Sequence, residues 1–156
     1  DADPQVARRG IAVHRLLQWL TDGMNDERQL RQRLSAQLAL TRAEFGPWLG
    51  EARTLIAQPA LAHLFAREKF RQAWNEVPLQ DGDSLGVIDR LVDDGQTLWV
   101  IDYKTQRDAD DAALLAHYAP QLRAYAAGAA KLYAGRKVQA GLLLTYSARW
   151  LPLPGE

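Results

Sequence analysis

Residues 84–104 read S-L-G-V-I-D-R-L-V-D-D-G-Q-T-L-W-V-I-D-Y-K and contain the strongest strand signals of the chain. Two runs rich in Val, Ile and Leu, residues 84–92 and 97–104, flank the polar tetrapeptide D-D-G-Q. Apolar runs separated by an Asp-Gly pair are typical of an antiparallel β-hairpin. The stretch therefore predicts two paired strands, each with one aspartate, Asp89 or Asp102, inside strongly apolar sequence.

The neighbouring segments extend this hairpin into a larger sheet. Residues 74–79 also have an extended pattern, and the sequence Q-D-G-D at 80–83 is a second hairpin turn, which predicts a three-strand antiparallel meander. A long Ala-rich helix follows, broken or begun near Pro120, and residues 138–146 predict another strand. A strand that follows a long helix returns to the sheet by a crossover, so we expect a mixed sheet.

Helical spacing of apolar residues dominates the first part of the chain. Thr41 and Glu44 form a plausible capping box, although the following Gly-Pro pair is expected to interrupt that helix early. We expect one domain over residues 1–156, with a helical part at 1–65 and a sheet core at 66–156. The expected class is α/β, bordering on α+β, with helices flanking one central sheet.

Composition excludes several classes of protein. The chain has 156 residues, 47% of them hydrophobic, with 19 basic and 19 acidic side chains and no cysteine. Disulfide scaffolds, thiolate zinc sites and cysteine-ligated iron–sulfur clusters are therefore excluded. No apolar run approaches the ~20 residues of a membrane span, and no signal peptide opens the chain, so with the lack of cysteine we expect a cytoplasmic setting. The excess of arginine over lysine and the abundance of alanine indicate a bacterial source. A net charge of zero does not by itself favour nucleic-acid binding.

The charged residues of the hairpin indicate chemistry. Strict alternation places Asp102 and Lys104 on one face of their strand. It likewise groups four residues of the preceding strand on one face: Leu85, Val87, Asp89 and Leu91. Buried carboxylates are costly unless they are paired. Two acids with a nearby lysine therefore indicate a divalent-cation site, although a surface salt bridge on an edge strand is the simpler alternative.

Five ordered blocks of the sequence resemble one nuclease family. The blocks are R-R-G-I-A-V-H-R-L-L at 8–17, E-V-P-L at 76–79, G-V-I-D-R at 86–90, L-W-V-I-D-Y-K-T at 98–105 and Q-L-R-A-Y at 121–125. Together they resemble the nuclease domain of RecB and AddA proteins, within the PD-(D/E)XK nuclease superfamily, over about residues 9–150. The resemblance implies a restriction-endonuclease-like core and hydrolysis of DNA.

The resemblance also implies roles for individual residues. The metal ligands it implies are His14, Asp89, Asp102 and the main-chain carbonyl of Tyr103. Lys104 matches the catalytic lysine that positions or activates the attacking water. Glu76 matches an acid that acts as an auxiliary ligand or as support for the site. Gln121 and Tyr125 match a helical Q-x-x-x-Y element that lies beside the site and is linked to DNA.

Phosphodiester hydrolysis agrees with these residue types. It needs a nucleophile made from water near neutral pH and positive charge that stabilises the phosphoryl oxygens. Two carboxylates with one imidazole suit Mg²⁺, with Mn²⁺ able to substitute, and they give Zn²⁺ no dedicated cage. Lys104 can hold the water or stabilise the transition state. No Walker A loop occurs in the sequence, so no ATP site is expected.

The resemblance extends to biological context and leaves alternatives open. It implies double-strand-break processing by a domain at the C-terminal part of a longer helicase-nuclease chain, with a second subunit of the RecC or AddB kind and no membrane partner. One alternative is a catalytically silent module that binds DNA or a subunit. Another is a stand-alone resolvase or restriction-like endonuclease. Cleavage polarity, exonuclease or endonuclease mode and the number of metal ions stay open.

The sequence contains two further charged clusters. Arg8, Arg9 and Arg15 either contact phosphates near the first helix or form a solvated face. The acidic residues Asp108, Asp110 and Asp111 are expected to form a loop and the start of the long helix, because negative charge suits that end of a helix.

Overall fold

A computed structural model of the chain describes residues 3–81, 84–107 and 110–155. The helices of this part are α1 (Pro4–Thr21), α2 (Glu27–Ser35), α3 (Phe45–Ile56), α4 (Ala62–Phe65) and α5 (Asp111–Leu132), with single 3₁₀ turns at Pro59–Leu61 and Arg67–Lys69. The strands are β1 (Gln72–Asp81), β2 (Ser84–Asp93), β3 (Thr97–Lys104), β4 (Lys137–Leu144) and β5 (Arg149–Pro152). None of the described helices is long and apolar enough to cross a membrane.

The strands form one mixed sheet in the order β1-β2-β3-β4-β5. The pairs β1–β2, β2–β3 and β4–β5 are antiparallel, whereas β3 and β4 are parallel and are connected through α5. This arrangement confirms the predicted meander, crossover and mixed sheet. The predicted turn at 80–83 lies partly outside the described residues, which omit 82 and 83, but the strands on either side pair as expected.

Helices cover both faces of the sheet and form two apolar clusters. On one face the helices α1 to α4 pack against β2, β3 and β4 through residues such as Leu16, Phe45 and Ile101. On the other face α5 packs against Val100 and Leu142. Because β3 is central and covered on both faces, the carboxyl end of this strand meets α1 on one face and α5 on the other.

Two helix predictions based on proline need correction. The third helix begins at Phe45, and its Gly46-Pro47 pair lies in the first turn. Proline is tolerated there because the first N–H groups of a helix have no intrahelical acceptor. The long helix is also continuous through Pro120, from Asp111 to Leu132. Pro120 lies on the exposed side of α5, where water can satisfy the carbonyl group that loses its N–H donor.

The acidic cluster before α5 has the expected helix-start role in its described part. The Asp110 side chain accepts from the backbone N–H of Ala113 at 3.2 Å, which caps the helix, and Asp111 lies in the first turn. Asp108 lies outside the described residues.

A break in β1 and β2 overturns the predicted alternation of side chains. Glu76 has a left-handed backbone with φ of 55° and interrupts the ladder between β1 and β2. In β2, Gly86 faces the Tyr125 ring of α5, and Leu91 packs against α5 as well. These residues are five positions apart, whereas residues on one face of a regular strand are an even number of positions apart. The predicted common face of Leu85, Val87, Asp89 and Leu91 is therefore wrong, because the alternation changes near Asp89.

Candidate active site

Asp102 and Lys104 lie at the carboxyl end of β3. Both are on the face that α5 covers, and the side chains are only 8% and 17% exposed. Lys104 Nζ lies 3.4 Å from Asp102 Oδ1 and 3.8 Å from the centre of the Tyr118 ring. The surface salt bridge considered from the sequence does not fit this burial, because two charges removed from water need strong local partners.

Asp89 occupies the fork where β2 separates from β3. The β2–β3 ladder ends where Arg90 pairs with Ile101. Beyond that point the Asp89 side chain, and not the β2 backbone, accepts a hydrogen bond from β3. Its Oδ2 accepts from the backbone N–H of Tyr103 at 2.8 Å. The Asp102 carboxyl group lies within hydrogen-bond reach of the Asp89 carboxyl group. Burial, followed by the negative charge of Asp102, raises the pKa of Asp89 to about 8.

The raised pKa of Asp89 predicts how stability depends on pH. Between about pH 4 and pH 8 the folded chain keeps a proton on Asp89 that the unfolded chain has released. The free energy of unfolding should therefore fall as pH rises through this interval. Replacing Asp89 with asparagine, which keeps an acceptor for the Tyr103 N–H group, should flatten this slope in urea unfolding measured at several pH values.

A matched control is Asp26→Asn, because Asp26 caps α2 at an exposed position and asparagine also caps helices. This variant should keep the slope of the parent chain. Equal slopes for the parent chain and Asp89→Asn would contradict the assigned proton.

His14 approaches the site from α1. Its Nε2 lies 3.2 Å from the Tyr103 carbonyl oxygen, and its Nδ1 lies 3.8 Å from Asp89 Oδ1. Burial lowers the pKa of His14, which favours the neutral imidazole, the form that binds metal ions. Gly10, one helical turn earlier, allows this approach because a Cβ atom there would lie 3.2 Å from Thr105 Oγ1. The spacing of Gly10 and His14 thus places both residues against the same strand.

Glu76 lies at the mouth of the site and is 36% exposed. Its Oε1 lies 4.0 Å from Arg15 Nη1, and with His14 these side chains line an open cavity of about 340 Å³. The charge of Glu76 contributes to the raised pKa of Asp89, after burial and Asp102. The structure therefore brings Glu76 close to the site and leaves it accessible to water.

Tyr125 and Gln121 line a groove between α5 and the β1–β2 hairpin, with a volume of about 440 Å³. The Tyr125 ring lies against Gly86, where a Cβ atom would be only 2.8 Å from Tyr125 Cε1. Burial and the negative charges of Asp102 and Asp89 raise the pKa of Tyr125, while a hydrogen bond from the Val87 N–H group lowers it. Tyr125 thus lies close to the carboxylates, and Gln121 is exposed beside it.

Tyr118 is a residue of the site that the sequence motifs did not predict. Its ring covers the Lys104 ammonium group at 3.8 Å, a distance at which a cation–π interaction forms. Residues 118, 121 and 125 share one helical face, with spacings of three and four. That spacing is the signal that could have added Tyr118 to the Q-x-x-x-Y element.

The arginines of α1 are held by acidic partners. Arg8 pairs with Glu44 at 2.8 Å. Arg9 is 6% exposed, pairs with Glu51 at 2.6 Å, and donates to the Thr105 carbonyl oxygen. Both guanidinium groups are therefore engaged by carboxylates of α3 or its N-terminus, which argues against phosphate contact, one of the two alternatives left open by the sequence.

The donor set at the end of β3 fits a hard divalent cation. Asp102 Oδ2 is buried without a hydrogen-bond partner among the described residues, and an unsatisfied buried acceptor is costly. The 3.2 Å separation of His14 Nε2 and the Tyr103 carbonyl oxygen is close to the ~3 Å between adjacent ligands of an octahedral ion. Within the described ranges, however, no three His, Asp or Glu side chains are already arranged as a complete metal cluster.

Comparison with known proteins agrees with this arrangement. Among curated proteins, no match to the chain is found. The family model of the PD-(D/E)XK nuclease superfamily matches residues 1–150, a range that includes the helical part, Asp89 on β2, Asp102 and Lys104 on β3, and α5. A match over this length shows the family, and the mixed five-strand sheet is consistent with its fold. The chain belongs to the PD-(D/E)XK nuclease superfamily.

Proposed function

We propose that the chain is a metal-dependent deoxyribonuclease that hydrolyses phosphodiester bonds in DNA. The observation that carries the proposal is the buried pair Asp89 and Asp102 beside Lys104, with one Asp102 oxygen that has no hydrogen-bond partner among the described residues. Like charges do not remain buried together without compensation, and a divalent cation compensates both carboxylates at once. Family membership supports nuclease chemistry at this position.

The proposed metal ligands are the Asp89 and Asp102 carboxylates, the Tyr103 carbonyl oxygen and His14. Oxygen donors with one neutral imidazole suit Mg²⁺, and Mn²⁺ is expected to substitute. When bound, such an ion lowers the pKa of a water molecule and offsets charge on the phosphoryl group. Glu76 is proposed as an auxiliary acid at the water-accessible side of the site, because of its exposure and its electrostatic effect on Asp89.

Lys104 is the proposed catalytic lysine. Its ammonium group can donate to the attacking water and to a phosphoryl oxygen, so that charge developing in the transition state meets a fixed cation. Asp102 and the Tyr118 ring hold Lys104 in place from two sides. Gln121 and Tyr125, in the adjoining groove, are proposed to contact the DNA backbone or bases next to the scissile phosphate.

Metal binding predicts a stabilisation that can be measured without any DNA. Because Mn²⁺ held by Asp89 and Asp102 would bind the folded chain and not the unfolded one, it should raise the Tm of the parent chain by several degrees at 100-fold excess over Kd. The Asp102→Asn variant should lose this rise, whereas Asp26→Asn, which removes an exposed charge, should keep it. An identical rise in all three chains would contradict the proposed ligand set.

The proposed biological setting is double-strand-break processing in the bacterial cytoplasm, in a RecB- or AddA-type protein. In this setting the full-length chain also contains a helicase domain, and a second subunit of the RecC or AddB kind is its partner. The proposal is based on the resemblance of the five sequence blocks to RecB and AddA proteins. An exonuclease of this kind needs a free end. Linear labelled DNA should therefore be shortened with Mg²⁺ while closed circular DNA stays intact, and equal cutting of both would contradict end processing.

A further inference from the structure

The turn after β4 brings an exposed tyrosine to the sheet edge that carries the candidate active site. The backbone N–H of Thr145 donates to the Lys104 carbonyl oxygen at 3.0 Å, which extends the parallel ladder past the lysine. Tyr146 follows directly. At ~3.3 Å per residue along β4 and ~5 Å between strands, its Cα lies within roughly 18 Å of that of Asp102. A few nucleotides of one DNA strand span this distance.

Tyr146 forms a cation–π pair with Arg107. Tyr146 is one of the large hydrophobic residues that are exposed, with 56% of its surface accessible to water. The Arg107 guanidinium group lies 4.8 Å from the ring centre, and Arg107 is itself exposed, three residues after Lys104. The other described tyrosines are covered more fully, for example Tyr103 at 3% exposure. An aromatic ring and a guanidinium group are thus presented to water together.

A buried ion pair holds this turn rigidly. Thr145 Oγ1 donates to Glu51 at 2.7 Å, and Glu51 also accepts from Arg9. The Arg9 guanidinium carbon lies 5.5 Å from the Tyr146 ring centre, so the ring rests on a side chain that is fixed by α3. Trp48, Arg107 and Tyr146 line one cavity of about 460 Å³ on this side. The pair is therefore pre-organised, which reduces the entropy lost when a ligand binds.

We propose that Tyr146 and Arg107 form a contact site for single-stranded DNA, a proposal that rests on the proposed nuclease function. An unpaired base can stack on the ring or on the guanidinium plane, and Arg107 can also bind a phosphate. Within a duplex, both faces of a base are covered by the neighbouring base pairs, so the site favours a single strand over a duplex. Two observations favour a DNA strand as the ligand. The pair lies at the same end of the sheet as Lys104, and Arg107 carries a positive charge that attracts phosphate groups.

The test is fluorescence anisotropy with a labelled single-stranded oligonucleotide and with its duplex, both in EDTA so that no cleavage occurs. Tyr146→Ala should weaken binding of the single strand about 10-fold, with a smaller effect on the duplex. Tyr146→Phe should retain affinity because the ring remains. Arg107→Ala should weaken binding and reduce its dependence on salt.

The matched control is Arg67→Ala. Arg67 also lies over an aromatic ring, that of Phe70 at 5.3 Å, but this pair precedes β1 at the opposite end of the sheet. Its removal should leave Kd unchanged. An unchanged Kd for a folded Tyr146→Ala chain, an equal loss in Arg67→Ala, or no binding by the parent chain would overturn the proposal.

The readout separates this proposal from the proposed nuclease. A chain that binds the oligonucleotide through Tyr146 but never cleaves DNA with metal would contradict the nuclease and leave the contact site standing. A chain that cleaves DNA, with the same Kd in the parent and in Tyr146→Ala, would do the reverse.

Discussion

Lys104→Ala is expected to reduce metal-dependent DNA cleavage by at least about 10³-fold while the chain stays folded. The substitution removes the one ammonium group that contacts Asp102 at the end of β3. Asp102→Ala is expected to reduce cleavage as strongly, for a different reason, because it removes a proposed metal ligand. The two variants should therefore differ in metal binding. The Mn²⁺-dependent rise in Tm should persist in Lys104→Ala and disappear in Asp102→Ala.

Lys69→Ala provides a control for the loss of a lysine. Lys69 is exposed in the 3₁₀ turn before β1, and its replacement should leave cleavage unchanged. Initial rates on a labelled oligonucleotide at saturating Mg²⁺, with Tm recorded for every variant, give the comparison. Undiminished cleavage by purified Lys104→Ala would remove the lysine from the mechanism.

Arg9→Met should destabilise the fold by about 3–5 kcal/mol, because it leaves Glu51 buried without its cation. Arg9 is 6% exposed, and its loss also removes the donor to the Thr105 carbonyl group, directly after Lys104. Arg53→Met is the matched control. Arg53 pairs with Glu27 at 3.2 Å, but both side chains are largely exposed, so its loss should cost less than about 1 kcal/mol.

Urea unfolding of the two arginine variants at neutral pH measures this difference. The double variant Arg9→Met with Glu51→Gln should lose less than the sum of the two single changes, because the second change removes the unpaired charge. A loss below about 1 kcal/mol in Arg9→Met would show that the buried pair does not hold α1 against the sheet.

Local sequence signals predicted the centre of the fold well. The predicted strand at 97–104 coincides with β3, and the predicted strand at 84–92 is one residue shorter than β2. Alternation in β3 correctly placed Asp102 and Lys104 on one face, because β4 pairs with β3 without interruption from Thr97 to Lys104. Hairpin turns and apolar runs are short-range features, so they can be read from a single sequence.

The remaining features depend on contacts that no local pattern shows. The left-handed backbone of Glu76 reverses which face of the sheet the following side chains of β1 occupy. A glutamate in the sequence gives no sign of this conformation. The pairing of Arg9 with Glu51 joins residues 42 positions apart, which helical spacing cannot indicate. For the same reason the sequence left the environment of Arg9 open between phosphate contact and a solvated face.

The candidate active site at the carboxyl end of β3 is proposed to hydrolyse DNA with a bound metal ion. The most direct test incubates the purified chain with 5′-labelled single-stranded and duplex DNA in Mg²⁺, Mn²⁺ or EDTA, beside Lys104→Ala. We expect shortened products with either metal, none in EDTA and none from the variant. Cleavage that persists in EDTA, or no cleavage by a parent chain whose Tm rises with Mn²⁺ and which binds the DNA, would contradict the proposal.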